Sequence, residues 1–332
     1  MTSPQHPRQA LFDTDEPPLP TLPVCDHYAG VEARMRKSLA LQGELGPVFD
    51  VTLDCEDGAP VGGESEHALL IAALLASADN RFGRVGVRLP PVHDAKFEEV
   101  ASIVLDAARA PAYLMLPKPR RAADVARAAQ ALERLGGSAV PLHALIETHG
   151  ALREIDAIAA HPRIESLSFG LMDFVSAHRG AIPASAMGVK GQFEHPLVLR
   201  AKLEIAAACH AHAKVPSHCV VTDLKHPRAL MDAATRACRQ FGFTRMWSIH
   251  PDQIRTIVDA FTPSVAEVDQ AIEIILAARA ADWAPIRHHD TLHDRASYRY
   301  FWQILERAHR TSYADGPQLP AEVRAAFFTD VA

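Results

Sequence analysis

The sequence predicts a TIM-type (β/α)8 barrel with a C-terminal helical extension, and three observations carry that reading. Eight short apolar runs recur along the chain, stretches with helical spacing of apolar residues separate them, and ionisable residues gather where the runs end. Alternating strand and helix argues for a parallel sheet with helical crossovers, and barrels build their chemistry at the C-terminal ends of the strands. A doubly wound open sheet is the alternative that the same alternation permits. With 48% hydrophobic and 22% charged residues, 332 residues suit one large domain with appendages.

Taken in order, residues 1–22 carry Pro4, Pro7, Pro17, Pro18 and Pro20, which deny regular hydrogen-bonded structure and predict an extended arm. The barrel is assigned to residues 23–262. It opens with the strand candidates TLPVCDHY and VFDVTLDCE, followed by the helical stretch HALLIAALLASA. RVGVRLP then leads to FEEVASIVLDAARA, AYLMLPK to AADVARAAQALERL, and VPLHALIE to ALREIDAIAAH. ESLSFGLMD precedes PLVLRAKLEIAAACHAHA, VPSHCVVT precedes ALMDAATRACRQF, and TRMWSIH is the eighth strand. Alanine and leucine give the helical stretches their propensity, and Gly or Pro punctuates most ends.

After residue 250 only helical patterns follow: PDQIRTIVDAF, VAEVDQAIEIILAARAA, a linker rich in His and Asp, and RASYRYFWQILERAHR. Residues 263–332 are read as a helical extension or lid. Its aromatics Tyr298, Tyr300, Phe301 and Trp302 need cover, which a neighbouring subunit would supply.

Composition excludes several function classes. A net charge of −6 and a pI near 6.3 lack the basic footprint of a nucleic-acid binder. Five cysteines show neither metal-site spacing nor a disulfide framework, which fits a reducing cytoplasm. No secretory leader or membrane-spanning run is expected, since no stretch approaches ~20 uninterrupted apolar residues. GAPVGGES has neither GxGxxG nor GxxxxGK spacing, so no nucleotide cofactor is expected; GxSxG and HExxH are missing too.

The proposed strand ends hold Asp54, Glu56, Asp57, Arg88, Lys118, Glu147, Asp173, His218 and His250. Any one of them can simply be a charge meeting solvent where burial stops. Glu147 and Asp173, 26 residues apart, each close a long apolar run. Brought together at one face, two carboxylates repel unless a proton or cation separates them, so a hard cation such as Mg²⁺ is the natural partner. Helix capping is the competing explanation for both. Gly170, in LSFGLMD, marks a close backbone approach. Arg88 offers a planar fork for a carboxylate or enolate oxygen, or for a structural ion pair with the Asp54 segment. The acids Asp54, Glu56 and Asp57 exceed what two metal ligands need, and some would orient water or fix Arg88. Lys118 suits a phosphate, a substrate carboxylate or solvent, and His250 a helix cap.

LDCEDG, VRLPP, LMLPK, LIETHGAL, FGLMDF, GFTRMWSIHPDQI and AFTPSVAEV follow one another in the order seen in the citrate lyase beta-subunit-like family of the HpcH/HpaI aldolase group. The chain resembles that family, which includes malyl-CoA and citramalyl-CoA lyases, from about Leu22 to Glu306. The resemblance implies a TIM barrel with a helical extension and Mg²⁺-dependent carbon–carbon cleavage or formation, with Mn²⁺ able to replace Mg²⁺. It implies a small hydroxy dicarboxylic acid, or its CoA thioester, as substrate and a homo-oligomer, trimeric or hexameric. Glu147 and Asp173 look like the family's metal ligands, Glu147 also facing the substrate, and Arg88 looks like its substrate-binding arginine. LHDRASYR resembles the lid segment whose acid reaches a neighbouring subunit's site, which makes Asp294 the expected proton-exchanging residue. The chain departs from the family at DHYAG, at His293 before the lid acid, in LPKPR and in PSHCVVTDL, so CoA recognition is left open. A hydrolase releasing CoA and a non-catalytic scaffold are the alternative functions.

Overall fold

A computed structural model describes residues 5–12, 20–57, 61–314, 316 and 318–328. Eight strands, β1 (Cys25–Ala29), β2 (Phe49–Asp54), β3 (Val85–Arg88), β4 (Leu114–Leu116), β5 (Leu142–Ile146), β6 (Ile164–Phe169), β7 (Val215–His218) and β8 (Arg245–Ser248), pair in parallel in chain order. β8 returns to β1, with Met246 opposite Cys25, and closes the barrel. Each of the eight predicted runs overlaps one of these strands. The open doubly wound sheet is thereby excluded, and closure leaves no exposed edge.

The observed strands are shorter than the apolar runs. β4 keeps only three residues, because Pro117 and Pro119 follow at once and proline cannot donate to the ladder. Helices Glu64–Ala76, Phe97–Leu105, Ala122–Arg134, Pro196–Ala211 and Pro227–Phe241 fall where the spacing placed them. The stretch ALREIDAIAAH instead forms two short helices, His149–Arg153 and Ile155–Ala159, interrupted at Glu154. Helix Glu32–Leu45 has no counterpart among the predicted elements.

Strand β2 explains the interior. Its six residues are all buried, and Asp50, Thr52 and Asp54 recur with the period of two that puts them on one face. That face meets side chains from other strands across the barrel. Asp50 pairs with Arg245 Nη1 at 2.5 Å and with Arg84 Nε at 2.7 Å, while Thr52 donates to Asp26 Oδ1 at 2.7 Å. Trp247 Nε1 also donates to Asp26, at 3.0 Å, and Arg245 Nη2 lies 3.2 Å from it. Barrel interiors are ordinarily filled by branched apolar layers. Here a column of ion pairs and hydrogen bonds takes that place, with Arg245 and Asp50 fully buried.

The chain divides into two compact units, Leu19–Phe261 and a second one made of Met1–Pro18 with Thr262–Ala332. Three expectations for the chain ends change here. The arm is not uniformly extended: Pro7–Leu11 forms a helical turn with Pro7 in the first turn, where its missing N–H is no loss. The linker rich in His and Asp is a hairpin, Ile286–His288 pairing antiparallel with Thr291–His293. Of the four aromatics, Tyr298, Phe301 and Trp302 are buried in this unit's own core beside Leu11, Ile274 and Ile275. Only Tyr300 stays exposed, so these aromatics do not by themselves require a neighbour. Among the described residues no helix is long and apolar enough to cross a membrane.

Candidate active site

Glu147 stands one residue beyond β5, at the C-terminal mouth of the barrel, and is 4% exposed. Its Oε1 accepts a hydrogen bond from the backbone N–H of Lys118 at 2.7 Å. Lys118 holds a left-handed backbone, φ 48°, which is uncommon for a residue with a side chain and turns its N–H toward the carboxylate. Thr148 fixes the same loop: its hydroxyl donates to the Pro119 carbonyl at 2.7 Å and caps helix His149–Arg153. A β-carbon on Gly150 would overlap the Arg120 carbonyl, so glycine is what lets loop and helix meet.

Asp173 is not at a strand end, as the apolar run suggested. β6 stops at Phe169, and LMD opens helix Leu171–Ser176, with the exposed Asp173 in its first turn. An acid there also meets the positive end of the helix dipole. Glu147 and Asp173 nonetheless share one cleft of about 300 Å³, walled by Lys118, Arg120, Thr148 and His93. The two carboxylates predicted to converge do so.

The electrostatics of the pair fit a cation. Burial first, and then the charge of Asp173, push the Glu147 carboxyl up to about 8. Among the described residues neither acid is in an ion pair. A buried carboxylate left facing another carboxylate is unfavourable unless it is protonated or metal-bound, and two carboxylates beside open space make an oxygen donor set for a hard divalent ion.

Arg88, the last residue of β3, is saturated with acids. Its Nε and Nη2 grip Asp54 at 2.6 and 2.9 Å, Nη1 meets Glu56 at 2.9 Å, and Nη2 meets Asp57 at 3.1 Å. The guanidinium also lies over the Tyr28 ring, 4.9 Å from its centroid, and the Tyr28 hydroxyl donates to Asp54. Burial works against the Asp54 carboxylate, but the Arg88 hydrogen bonds and charge hold it below the usual range. Burial raises the Glu56 carboxyl, although Arg88 on one side and Lys118 Nζ, 2.7 Å away, on the other oppose the shift. Thus Asp54, Glu56, Asp57, Arg88 and Lys118 form one network beside the Glu147 cleft.

The remaining candidates stand elsewhere. His218 ends β7 but is buried, stacked on Phe193 and edge-on to Phe243. His250 Nδ1 accepts from the Asp252 backbone N–H at the start of helix Pro251–Phe261, a capping contact. Asp294 belongs to the other unit and is the N-cap of helix Arg295–Arg310, accepting from the backbone N–H groups of Ala296 and Ser297. Sequence reasoning missed Tyr28, Thr148, His93 and Arg120. The Asp50, Thr52, Asp54 alternation in β2 was the available signal for a polar interior.

Comparison with known proteins places the chain. Residues 48–251 match the profile of the HpcH/HpaI aldolase/citrate lyase family. The chain belongs to this family. As a member it is an enzyme of the carbon–carbon lyase class. A crystal structure of a citrate lyase from Burkholderia xenovorans LB400 is 54% identical, covering 98% of this chain and 99% of that one, with a TM-score of 0.81. The protein CitE from Mycobacterium tuberculosis, solved with magnesium, acetoacetate and coenzyme A, is 20% identical over 86% of this chain and 98% of its own, with a TM-score of 0.67, and so shares the fold. An L-malyl-CoA/beta-methylmalyl-CoA lyase of Cereibacter sphaeroides is 27% identical over 251 residues, 70% of this chain and 77% of that protein.

Proposed function

We propose that this family member makes or breaks the carbon–carbon bond of a small hydroxy dicarboxylic acid carried as its CoA thioester, using Mg²⁺ or Mn²⁺. The observation that carries the reading is Glu147, a buried carboxylate without an ion-pair partner among the described residues, which shares its cleft with Asp173. These two residues would hold the metal. When bound, such an ion polarises the oxygen of the 2-oxo or 2-hydroxy acid and orients its carboxylate.

The protein's own groups do the rest. Arg88 faces the oxygen that gains charge as the bond to the thioester's α-carbon breaks, and Asp54 holds the guanidinium in plane from a fully buried position. Asp57 is the partner that Arg88 can exchange for substrate, since its side chain is 62% exposed where that of Glu56 is 8%. Lys118 and Arg120 supply positive charge at the cleft for the substrate's second anionic end. Asp294, from another copy of the chain, exchanges the proton at the α-carbon. This role rests on LHDRASYR and makes the protein a homo-oligomer, for which the exposed Leu292 and Tyr300 offer apolar surface. Free thiols at Cys25, Cys55, Cys209 and Cys219 support a reducing, cytoplasmic setting.

The test is direct. Purified protein with Mg²⁺ and malyl-, citramalyl- or citryl-CoA should yield an aldehyde or keto acid together with the shorter acyl-CoA. Free thiol without the carbonyl product would establish a thioester hydrolase instead. Failure on every member of the panel, with Mg²⁺ and with Mn²⁺, would set the lyase reading aside.

A further inference from the structure

Two consecutive histidines, His288 and His289, lie in the unit that contains Thr262–Ala332. They end the first strand of the hairpin and open its turn, where His289 and Asp290 adopt φ values of 43° and 62°. Positive φ at both central residues is the geometry of a type I′ turn, which ordinarily selects Asn-Gly because side chains crowd the backbone there. This turn keeps a histidine and an aspartate in strained positions. Such strain persists where the surroundings over-determine it, commonly at ligand-binding sites.

The hairpin brings both imidazoles to one carboxylate on helix Val265–Ala280. Glu273 Oε2 is 3.0 Å from His288 Nε2 and 3.6 Å from His289 Nε2, and one ligand atom from each residue lies within 4.8 Å of the other two. Ligands around a tetrahedral cation with bonds of about 2.0–2.1 Å stand roughly 3.3 Å apart, a spacing these atoms bracket. Beside them His293 is 7% exposed, with its ring centroid 6.4 Å from that of His288 and a buried Nδ1 that lacks a hydrogen-bond partner among the described residues.

We propose that Glu273, His288 and His289 bind a divalent transition-metal ion of the zinc class. Two imidazole nitrogens and one carboxylate oxygen suit Zn²⁺, Co²⁺ or Ni²⁺, whereas Mg²⁺ prefers oxygen ligands in octahedral geometry. The bound ion cross-links hairpin to helix and so fastens the segment that runs from His289 into Asp294. The site shares no residue with Glu147 and Asp173 and does not depend on the reading given to them.

Titration of the full-length protein with Co²⁺, followed by visible absorption, tests this. Wild type and Glu147→Ala should both develop the intense ligand-field bands of a four-coordinate ion, Zn²⁺ should displace it stoichiometrically, and Zn²⁺ but not Mg²⁺ should raise the melting temperature through this site. His289→Ala and Glu273→Gln, both at exposed positions, should weaken binding by more than about tenfold while melting like wild type without metal. Bands of equal strength in these two variants would overturn the proposal. So would a wild type that binds no Co²⁺, or Zn²⁺ stabilisation that survives both substitutions.

Discussion

A β-carbon on Gly170 would overlap Glu147 Oε2 and lie 2.5 Å from the Glu147 Cβ, so the backbone after β6 fixes where the carboxylate after β5 can stand. The Gly170 φ is negative, −87°, so it is the close approach to Glu147 and not a left-handed backbone that demands glycine. Gly170→Ala should therefore swing Glu147 out of the cleft. We expect Mg²⁺ affinity to fall about tenfold or more in calorimetric titrations, with a stability cost of ~1–3 kcal/mol from overpacking. An unchanged Mg²⁺ affinity would show that this carboxylate is not a ligand.

The pH dependence of the same group has a defined sign. The folded Glu147 carboxyl stands at about 8, against an ordinary value of 4.5. Between those values the folded protein retains a proton that the unfolded chain has released, so this contribution to stability is full below 4.5, declines as pH rises and is gone above about 8. Scanning calorimetry of metal-free protein should show the decline, and Glu147→Gln should flatten it. Mg²⁺ requires the ionised carboxylate, so its affinity should rise up to about tenfold per pH unit and level off near 8. A Glu147→Gln profile parallel to wild type would assign the effect to another group.

Arg88→Lys probes geometry at constant charge. Lysine cannot reproduce the two-pronged grip on Asp54 while also reaching Glu56. Loss of one preorganised donor to a developing oxyanion costs about 10²–10³-fold in kcat, and that is the fall expected here, with Mg²⁺ affinity retained. A parallel loss of metal affinity would place Arg88 among the groups that shape the metal site.

Arg245→Met tests the polar column. Removing the guanidinium leaves Asp26 and Asp50 buried with an important countercharge gone, which should destabilise the barrel by about 3–5 kcal/mol in urea unfolding. Arg84 still reaches Asp50, so Arg84→Met alone should cost less. Equal effects would mean that the two arginines act as one unit.

How much of this was legible in the sequence depended on whether a residue's meaning was local. Apolar runs between helical stretches announced all eight strands, and Glu147 and Asp173 stood out because each closed such a run. The hairpin at residues 286–293 escaped because its turn uses His289 and Asp290 instead of Asn-Gly. Helix Glu32–Leu45 escaped because Arg, Lys, Gln and Glu dilute its apolar stripe. Tyr28, Thr148 and the Lys118 N–H were invisible for another reason: each acts on a partner 26 to 29 residues away, and nothing in its own neighbourhood tells which partner that is.

The unit that joins residues 6–12 to residues beyond Thr262 sets an order of events in synthesis. His6 Nε2 meets the Phe327 carbonyl at 3.1 Å across a separation of 321 residues, and Ala10 and Leu11 are buried in a core whose other buried members lie after residue 270. On the ribosome, residues 6–12 must wait, without their partners, while every strand of the barrel is made and emerges. The barrel can close co-translationally, but this unit is completed only once helix Ala321–Phe327 has left the exit tunnel. A chain stalled or clipped before helix Ala321–Phe327 would therefore strand the apolar surface of Ala10 and Leu11 and that around Trp302 at once, giving quality-control factors two places to bind.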